Sequence, residues 1–327
     1  MNTLTQNLKL GLSLLLLLAV TAGMFWIVSA PRDANGSPLR QKVVSEPPQR
    51  EEPKDKNVEL AAANPTLKSI YRRSAKEALV DTPSPNEIAV FEKLLKASFD
   101  VSFENDRQWK ELGWILTRDL ENGWVVIEES DSQRRGRGLF AIRTKRVNPI
   151  MIQATHRFFD TGTGVITRKL FKEHPVQAAA WNTVHRSEYD VAHQSRSFFN
   201  AFTRVLIETY PALVNFQIHG FDASKRQSPD TLAIVSNATR YPNQMTKDFA
   251  GVMKQNYGSD RVWLFPLETA ELGATTNKQA SVMREQGNQN FIHVEMSKSM
   301  RESLKGSLED RSKLYSSFFS TADSFDR

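Results

Sequence analysis

Phe198-Phe199-Asn200-Ala201-Phe202-Thr203-Arg204-Val205-Leu206-Ile207-Glu208-Thr209, followed four residues later by Val214-Asn215-Phe216-Gln217-Ile218-His219-Gly220, decides the fold class. The first stretch is an amphipathic helix. The second is a short apolar strand that ends in a histidine and a glycine. This helix-then-strand pattern recurs in both directions. Upstream, Glu87 to Ser98 reads as a helix with Val90, Leu94 and Leu95 on one face, Trp124 to Glu128 and Gly138 to Arg143 as strands around an Arg/Gly turn, Ile150 to Ala154 as an apolar strand and Ala178 to Val184 as another. Downstream come strands at Thr231 to Ser236, Val262 to Phe265 and Phe291 to Glu295, with helices at Thr246 to Asn256 and Ser299 to Leu304. Short apolar strands alternating with helices define an α/β fold, here expected as a mixed, mostly parallel sheet flanked by helices.

The ends of the chain differ from this centre. Leu10 to Ala30 contains no charged residue and centres on Leu14 to Leu18. At about 1.5 Å per residue, a helix of some twenty residues matches a hydrocarbon core of about 30 Å. Residues 1–30 are therefore expected to form an N-terminal hydrophobic helix acting as a signal-anchor, the alternative being a signal peptide cleaved after Ala30. Residues 31–65 carry Pro31, Pro38, Pro47, Pro48, Pro53 and Pro65 among many charges and read as a linker. A short helix from Leu67 to Leu79 precedes the turn at Thr82 to Asn86. The domain is expected over 66–305, with about 220 residues of it in one continuous core-forming stretch, and 306–327 as a flexible, Ser-rich tail.

Composition removes several classes of function. The chain has no cysteine, which excludes disulfides, thiolate metal sites and a cysteine nucleophile. Its formal charge of +6 is dispersed: residues 1–65 hold seven basic and six acidic groups, leaving +5 on the rest. That is no nucleic-acid footprint. The densest basic spot, Gln133 to Gly138, reads as a hairpin turn. A Gly-x-Ser-x-Gly elbow, a phosphate loop and a dinucleotide fingerprint are all missing from the sequence.

In open α/β sheets, functional groups collect where strand carboxyl ends meet loops. Three strands end this way. Ile152-Gln153-Ala154-Thr155-His156 is followed by Asp160 and the cluster Thr161-Gly162-Thr163-Gly164, read as an active-site loop or a simple turn. The second strand ends in His219-Gly220, and the third, Phe291-Ile292-His293-Val294-Glu295, in a carboxylate. Two histidines and one carboxylate form a common zinc ligand set with a fourth position for water. The metal brings that water's pKa near neutrality, and a separate carboxylate can act as its general base. A fourth cluster, Trp181 to His193, adds His185, Arg186, Asp190 and His193. It reads as a second wall of the site with Arg186 clamping an anion, as a rival metal set of His185, Asp190 and His193, or as a polar loop capping the helix that begins near Ser195 or Ser197.

This order of motifs resembles the zinc-dependent exopeptidase-like hydrolases, which include zinc carboxypeptidases, N-formylglutamate amidohydrolases and phage-type poly-γ-glutamate hydrolases. The resemblance covers 150–305. It implies that His156, Asp160 and His219 hold zinc, that Glu295 is the catalytic base, and that Arg301, six residues on, is the basic residue that often follows it. The sequence departs from the pattern in having Asp rather than Glu as the acidic ligand, and three residues rather than two between His156 and Asp160. The implied activity is hydrolysis of an amide or peptide bond in an envelope peptide or small acidic amide, with Arg186 or Arg301 binding an anionic group; the alternatives are a non-catalytic envelope binding module on a hydrolase-like fold and a metal-dependent phosphoesterase. With the N-terminal segment, this places an inner-membrane-anchored domain in the periplasm, or a secreted one after cleavage.

Overall fold

A computed structural model describes residues 65–75, 80–100, 105–226 and 228–325. The apolar segment 1–30 and the linker 31–64 lie outside the described residues. Among the described residues, no helix is long and apolar enough to cross a membrane.

In chain order the elements are α1 (Leu67–Arg73), α2 (Pro85–Ala97), α3 (Asp106–Glu111), β1 (Trp114–Asp119), β2 (Trp124–Glu129), β3 (Leu139–Arg143), β4 (Asn148–Ala154), α4 (Thr163–Glu173) and β5 (Val176–Trp181). There follow α5 (Phe198–Thr209), β6 (Val214–Phe221), β7 (Ala233–Ser236), α6 (Gln244–Tyr257), β8 (Val262–Leu264), α7 (Lys278–Glu285), β9 (Phe291–Ser297), α8 (Lys298–Gly306) and α9 (Leu308–Phe325). The strands form one sheet in the order β1-β2-β3-β5-β4-β6-β9-β7-β8.

The sheet is mixed, as expected, but not mostly parallel. Parallel pairing joins β5, β4, β6 and β9, and joins β7 to β8. The β1-β2-β3 meander, its junction with β5 and the β7–β9 pair are antiparallel. Hairpins supply two of the four antiparallel pairings, β1–β2 and β2–β3, whose short connections cannot make the crossover a parallel pair requires; β3–β5 and β7–β9 join strands that are not consecutive in the chain. The edge strand β1 was not anticipated from the sequence.

Both faces of the sheet are covered. Strand periodicity sends alternate residues to opposite sides. Ile150, Ile152 and Ala154 of β4, Val214, Phe216 and Ile218 of β6, and Ile292, Val294 and Met296 of β9 pack under α1, α4, α6, α8 and α9. Met151 and Phe291 point the other way, toward α2, α3, α5 and α7. On that second face, Gln153, Gln217, His219, His293 and Glu295 take up the positions nearest the carboxyl ends of β4, β6 and β9. Parallel register sets Gln153 beside Gln217, Gln217 beside His293, and His219 beside Glu295. One face of the sheet is thus apolar along its length, and the other becomes polar where the parallel strands finish.

Two further expectations change. Of the segment expected as a loose tail, 308–325 is a packed helix. Helix α9 buries Leu314, Phe318 and Ala322, and Phe318 stacks on Phe216 with ring centroids 4.0 Å apart. Its apolar residues recur at helical spacing between serines, so the polar composition hid a buried stripe. The Thr161 to Gly164 cluster is not a plain turn either. Gly162, at φ 98°, caps the start of α4, and Thr163 and Gly164 are helical. A left-handed backbone at that cap suits glycine.

Candidate metal centre

The first ligand pair comes from a tight turn. After β4, His156 and Asp160 are drawn together by the Asp160 N–H, which donates to the His156 carbonyl at 2.8 Å. The His156 Nδ1 to Asp160 Oδ2 distance is 3.6 Å. From the neighbouring β6, His219 Nδ1 lies 3.0 Å from the same Asp160 Oδ2. The strand continues to Phe221, so His219 sits two residues inside it. All three side chains are buried. One ligand atom from each lies within 4.8 Å of the others.

The next shell orients these groups. Asp190, in the loop after β5, accepts from His156 Nε2 at 2.7 Å, while His156 Nδ1 faces Asp160. Arg186 Nη2 donates to the other Asp190 oxygen at 2.7 Å, and Arg186 Nη1 stands 3.4 Å from His156 Nδ1. His193 Nδ1 is 3.1 Å from Asp190 Oδ2. The 185–193 cluster is therefore a wall of this site and not a separate metal set: His185 bonds to Ser187 and packs on Phe159, away from the ligands. Ser197 caps α5.

On β9, Glu295 and His293 face the same space. Their nearest approach, His293 Nε2 to Glu295 Oε1, is 3.7 Å. Among the described residues, no hydrogen-bond partner reaches Glu295 Oε2 or His293 Nδ1. His219, His293 and Glu295 form a second close group sharing His219 with the first.

The electrostatics follow from this crowding. Burial and the neighbouring Asp160 carboxylate push Glu295 up to about 8. For Asp160, burial opposes ionisation, but hydrogen bonds from His156 and His219 outweigh it and hold the carboxyl well below its usual range. Burial, reinforced by the nearby imidazoles, keeps His293 well below the ordinary histidine value.

A cavity of about 370 Å³ opens onto these groups, and Arg186, Lys225, Arg226 and Asn277 line it. Lys225 and Arg226 come from the loop after β6. They were missed in the sequence because the strand-end rule was applied to the first residues after each strand and not to the whole loop. Arg226 pairs with Glu271 at 3.3 Å, and its buried Nε has no partner among the described residues.

Arg301, expected to bind an anion or polarise the scissile carbonyl, does neither. Its buried guanidinium donates to three backbone carbonyls, those of Thr161 at 2.9 Å, Phe221 at 3.3 Å, and Met296. It ties the His–Asp turn to the ends of β6 and β9 and does not line the cavity. It also explains Gly220, where a Cβ would run into the guanidinium.

The donor set fits a zinc ion. Ligand atoms on bonds of about 2.0–2.2 Å around a tetrahedral centre are about 3.3–3.6 Å apart. The His156–Asp160 separation of 3.6 Å lies at the top of that range, and the His219–Asp160 separation of 3.0 Å a little below it.

No family model matches the chain, and no curated protein matches it. Solved structures do. A zinc-free form of YndL shares 14% identity over 68% of this chain and 96% of that one, with a TM-score of 0.39. The N-formylglutamate amidohydrolase of Ralstonia eutropha shares 7% identity over 59% of this chain and 99% of its own, with a TM-score of 0.40. A bacteriophage poly-γ-glutamate hydrolase shares 10% over 60% of this chain and 93% of its own, also with a TM-score of 0.40. The chain is similar to the kinds of protein to which its order of motifs pointed. The residue roles assigned here rest on the site's own geometry.

Proposed function

We propose that this chain is a metal-dependent hydrolase that cleaves an amide or peptide bond in an anionic substrate. The observation that carries the reading is convergence: His156, Asp160 and His219 meet at one point, with Glu295 and the cations Arg186, Lys225 and Arg226 around the same cavity. These three residues would hold the ion, and zinc is the ion that their nitrogen and oxygen donors suit. A divalent ion held there supplies a Lewis acid and lowers the pKa of water.

The chain's own groups supply the rest. Glu295, with one oxygen free of protein partners, is held protonated by burial; with an ion's positive charge beside it, it would ionise, take the proton from the attacking water and return it to the leaving amine. Arg226 and Arg186 present N–H groups that fit a carboxylate in two-point fashion, which favours a small acidic amide or an acidic peptide. The domain works at a membrane, tethered through residues 1–30 and the proline-rich linker, in the periplasm with envelope peptides as substrates. The apolar length of the N-terminal segment supports that placement, and cleavage after Ala30 would make the domain secreted.

The test uses the full-length protein in detergent, loaded with zinc and washed. Wild type is expected to retain one equivalent of metal per site, and His219→Ala to lose it. Glu295→Gln keeps the metal and loses about 10²–10⁴-fold in turnover on a panel of N-acyl amino acids and acidic peptides. A wild-type protein that carries no stoichiometric metal after loading sinks the reading.

A further inference from the structure

The cavity beside the metal ligands has a neighbour. A second hollow of about 210 Å³ is lined by Thr231, Ile234, Trp263, Glu268 and Glu271. Ile234 on β7 is the register partner of Glu295 on β9, so the two cavities lie side by side along the sheet. Between them stand Arg226, which lines the first, and Glu271, which lines the second. Arg226 Nη1 donates to Glu271 Oε1 at 3.3 Å. The two side chains are 24% and 26% exposed, so a solute can reach both.

The backbones behind this pair are fixed. Asp222 accepts the Ser224 N–H at 3.2 Å, and the Arg226 N–H closes the turn on the Ala223 carbonyl at 3.0 Å. Glu271 sits in the loop between β8 and α7. There Gly273 lies against the Phe265 ring, where a Cβ has no room, and its carbonyl accepts from Ser236 Oγ at 3.0 Å. The side chains themselves are poorly matched. Arg311 grips Glu173 through Nε at 2.5 Å and Nη2 at 2.9 Å, the two-point geometry that suits a guanidinium and a carboxylate. Arg226 instead makes one bond, longer than the usual range of about 2.7–3.2 Å. Its buried Nε has no partner among the described residues. Neighbouring charges are engaged elsewhere. Glu268 pairs with Lys254 and accepts the Leu264 N–H at 2.8 Å. Arg186 holds Asp190 at 2.7 Å and stacks on Phe159, and Lys225 faces Asp222 at 3.7 Å. Arg226 keeps the most donors in hand.

We propose that the Arg226–Glu271 pair is a receptor for a zwitterionic head, the free α-amino and α-carboxyl groups of an amino acid at one end of the substrate. The inference rests on the reading of the first cavity as a hydrolase site. The ligand's carboxylate takes the unfilled N–H groups of Arg226 and releases Glu271. A ligand with a carboxylate alone would leave Glu271 half-buried, without its cation and beside a new anion, which opposes binding. An ammonium on the same ligand takes the vacated carboxylate. One long ion pair is exchanged for two close ones, and the charge of the site is conserved. Trp263, fixed by its Nε1 on Thr231 Oγ1 at 3.1 Å, adds an aromatic wall on the ammonium side. An amino acid with both α groups free can be joined to the rest of a molecule only through its side chain. The substrate class is therefore a side-chain-linked amide.

The experiment compares complete and incomplete heads. Binding is measured by calorimetry at neutral pH on full-length, zinc-loaded protein in detergent, with Glu295→Gln present so that no probe is consumed. The probes are γ-glutamyl anilide and Nε-acetyl-lysine, which carry the head on opposite sides of the amide. Each is set against its Nα-acetylated and its decarboxylated analogue. In at least one series the complete head is expected to bind about 10–100-fold more tightly than either analogue. Adding Glu271→Gln removes the advantage over the Nα-acetylated form, and adding Arg226→Met removes the advantage over the decarboxylated one. The ranking without these two substitutions is decisive by itself, so a variant that fails to fold does not shield the proposal. No preference for the complete head in either series overturns it, as does a preference for the Nα-acetylated form. An advantage over that form that survives Glu271→Gln overturns it too. A preference for the complete head, in a protein whose unsubstituted form hydrolyses neither probe, upholds the receptor and defeats the hydrolase reading instead.

Discussion

Replacing Arg301 by methionine separates two roles that the sequence leaves indistinguishable. Methionine fills a similar length but donates nothing. The guanidinium now satisfies carbonyls of Thr161, Phe221 and Met296. A buried acceptor left without its donor costs about 1–3 kcal/mol, so three of them bound the loss at about 3–9 kcal/mol. Two corrections lower it. Met296 lies on a strand paired on both sides, so its carbonyl is not left in an unpaired stretch. The variant also no longer desolvates a cation, a cost visible in the depressed basicity that burial imposes on Arg301. The expected net destabilisation is about 3–5 kcal/mol. For a domain of this size that lowers Tm by about 6–20 °C, at about 2–4 °C per kcal/mol. The assay is thermal unfolding of the full-length protein by circular dichroism at a fixed scan rate, compared with substrate KM at a temperature where both proteins are folded. A variant that melts with wild type yet binds substrate far more weakly would show that Arg301 serves the substrate, and the structural reasoning would be wrong.

Two more expectations can be checked on the same material. Phe318→Ala removes a ring that stacks on Phe216 in the core beneath α9 and should cost about 3–5 kcal/mol; a change below about 1 kcal/mol in urea unfolding would mean that α9 does not contribute to the core. The pH dependence has a marker in Glu129, which burial pushes up to about 7 despite the hydrogen bond to the Arg135 N–H and the nearby Arg137. Because its folded pKa exceeds the unfolded value, the folded state binds more protons between the two. Its contribution is therefore favourable below about 4.5 and is lost as pH rises through about 7, by about 3 kcal/mol in all. Glu129→Gln should remove that slope, so that the stability of wild type relative to the variant falls between those pH values; a flat or rising difference contradicts the sign.

Much of the fold was legible because burial on both faces of a sheet writes itself into local composition. Strands β2, β3, β4, β6, β7 and β9 appear as short apolar runs, and α5 matches its sequence pattern from Phe198 to Thr209. Local pattern does not carry strand order or direction. The antiparallel half of the sheet depends in part on the pairing of β3 with β5 and of β7 with β9, partners that lie far apart in sequence. Helix α9 escaped for another reason. Its buried stripe is Leu314, Phe318 and Ala322, while serines dominate the composition, and only a docking surface on β4 and β6 reveals which face matters.

The site divides in the same way. By itself the sequence determined that His156, Asp160, His219 and Glu295 stand at or near the ends of strands, because a polar residue after an apolar run is a local signal. The tertiary structure alone decided their company. Parallel register set His219 beside Glu295, the loop after β5 brought Asp190 to His156, and the loops after β6 and β8 brought Arg226 to Glu271. Arg301 shows the limit most plainly. Its position after Glu295 pointed into the cavity, but a helix places a side chain by its turn and its neighbours, and three carbonyls took the guanidinium first. A charge's partners are set by distances in space, which sequence separation does not encode.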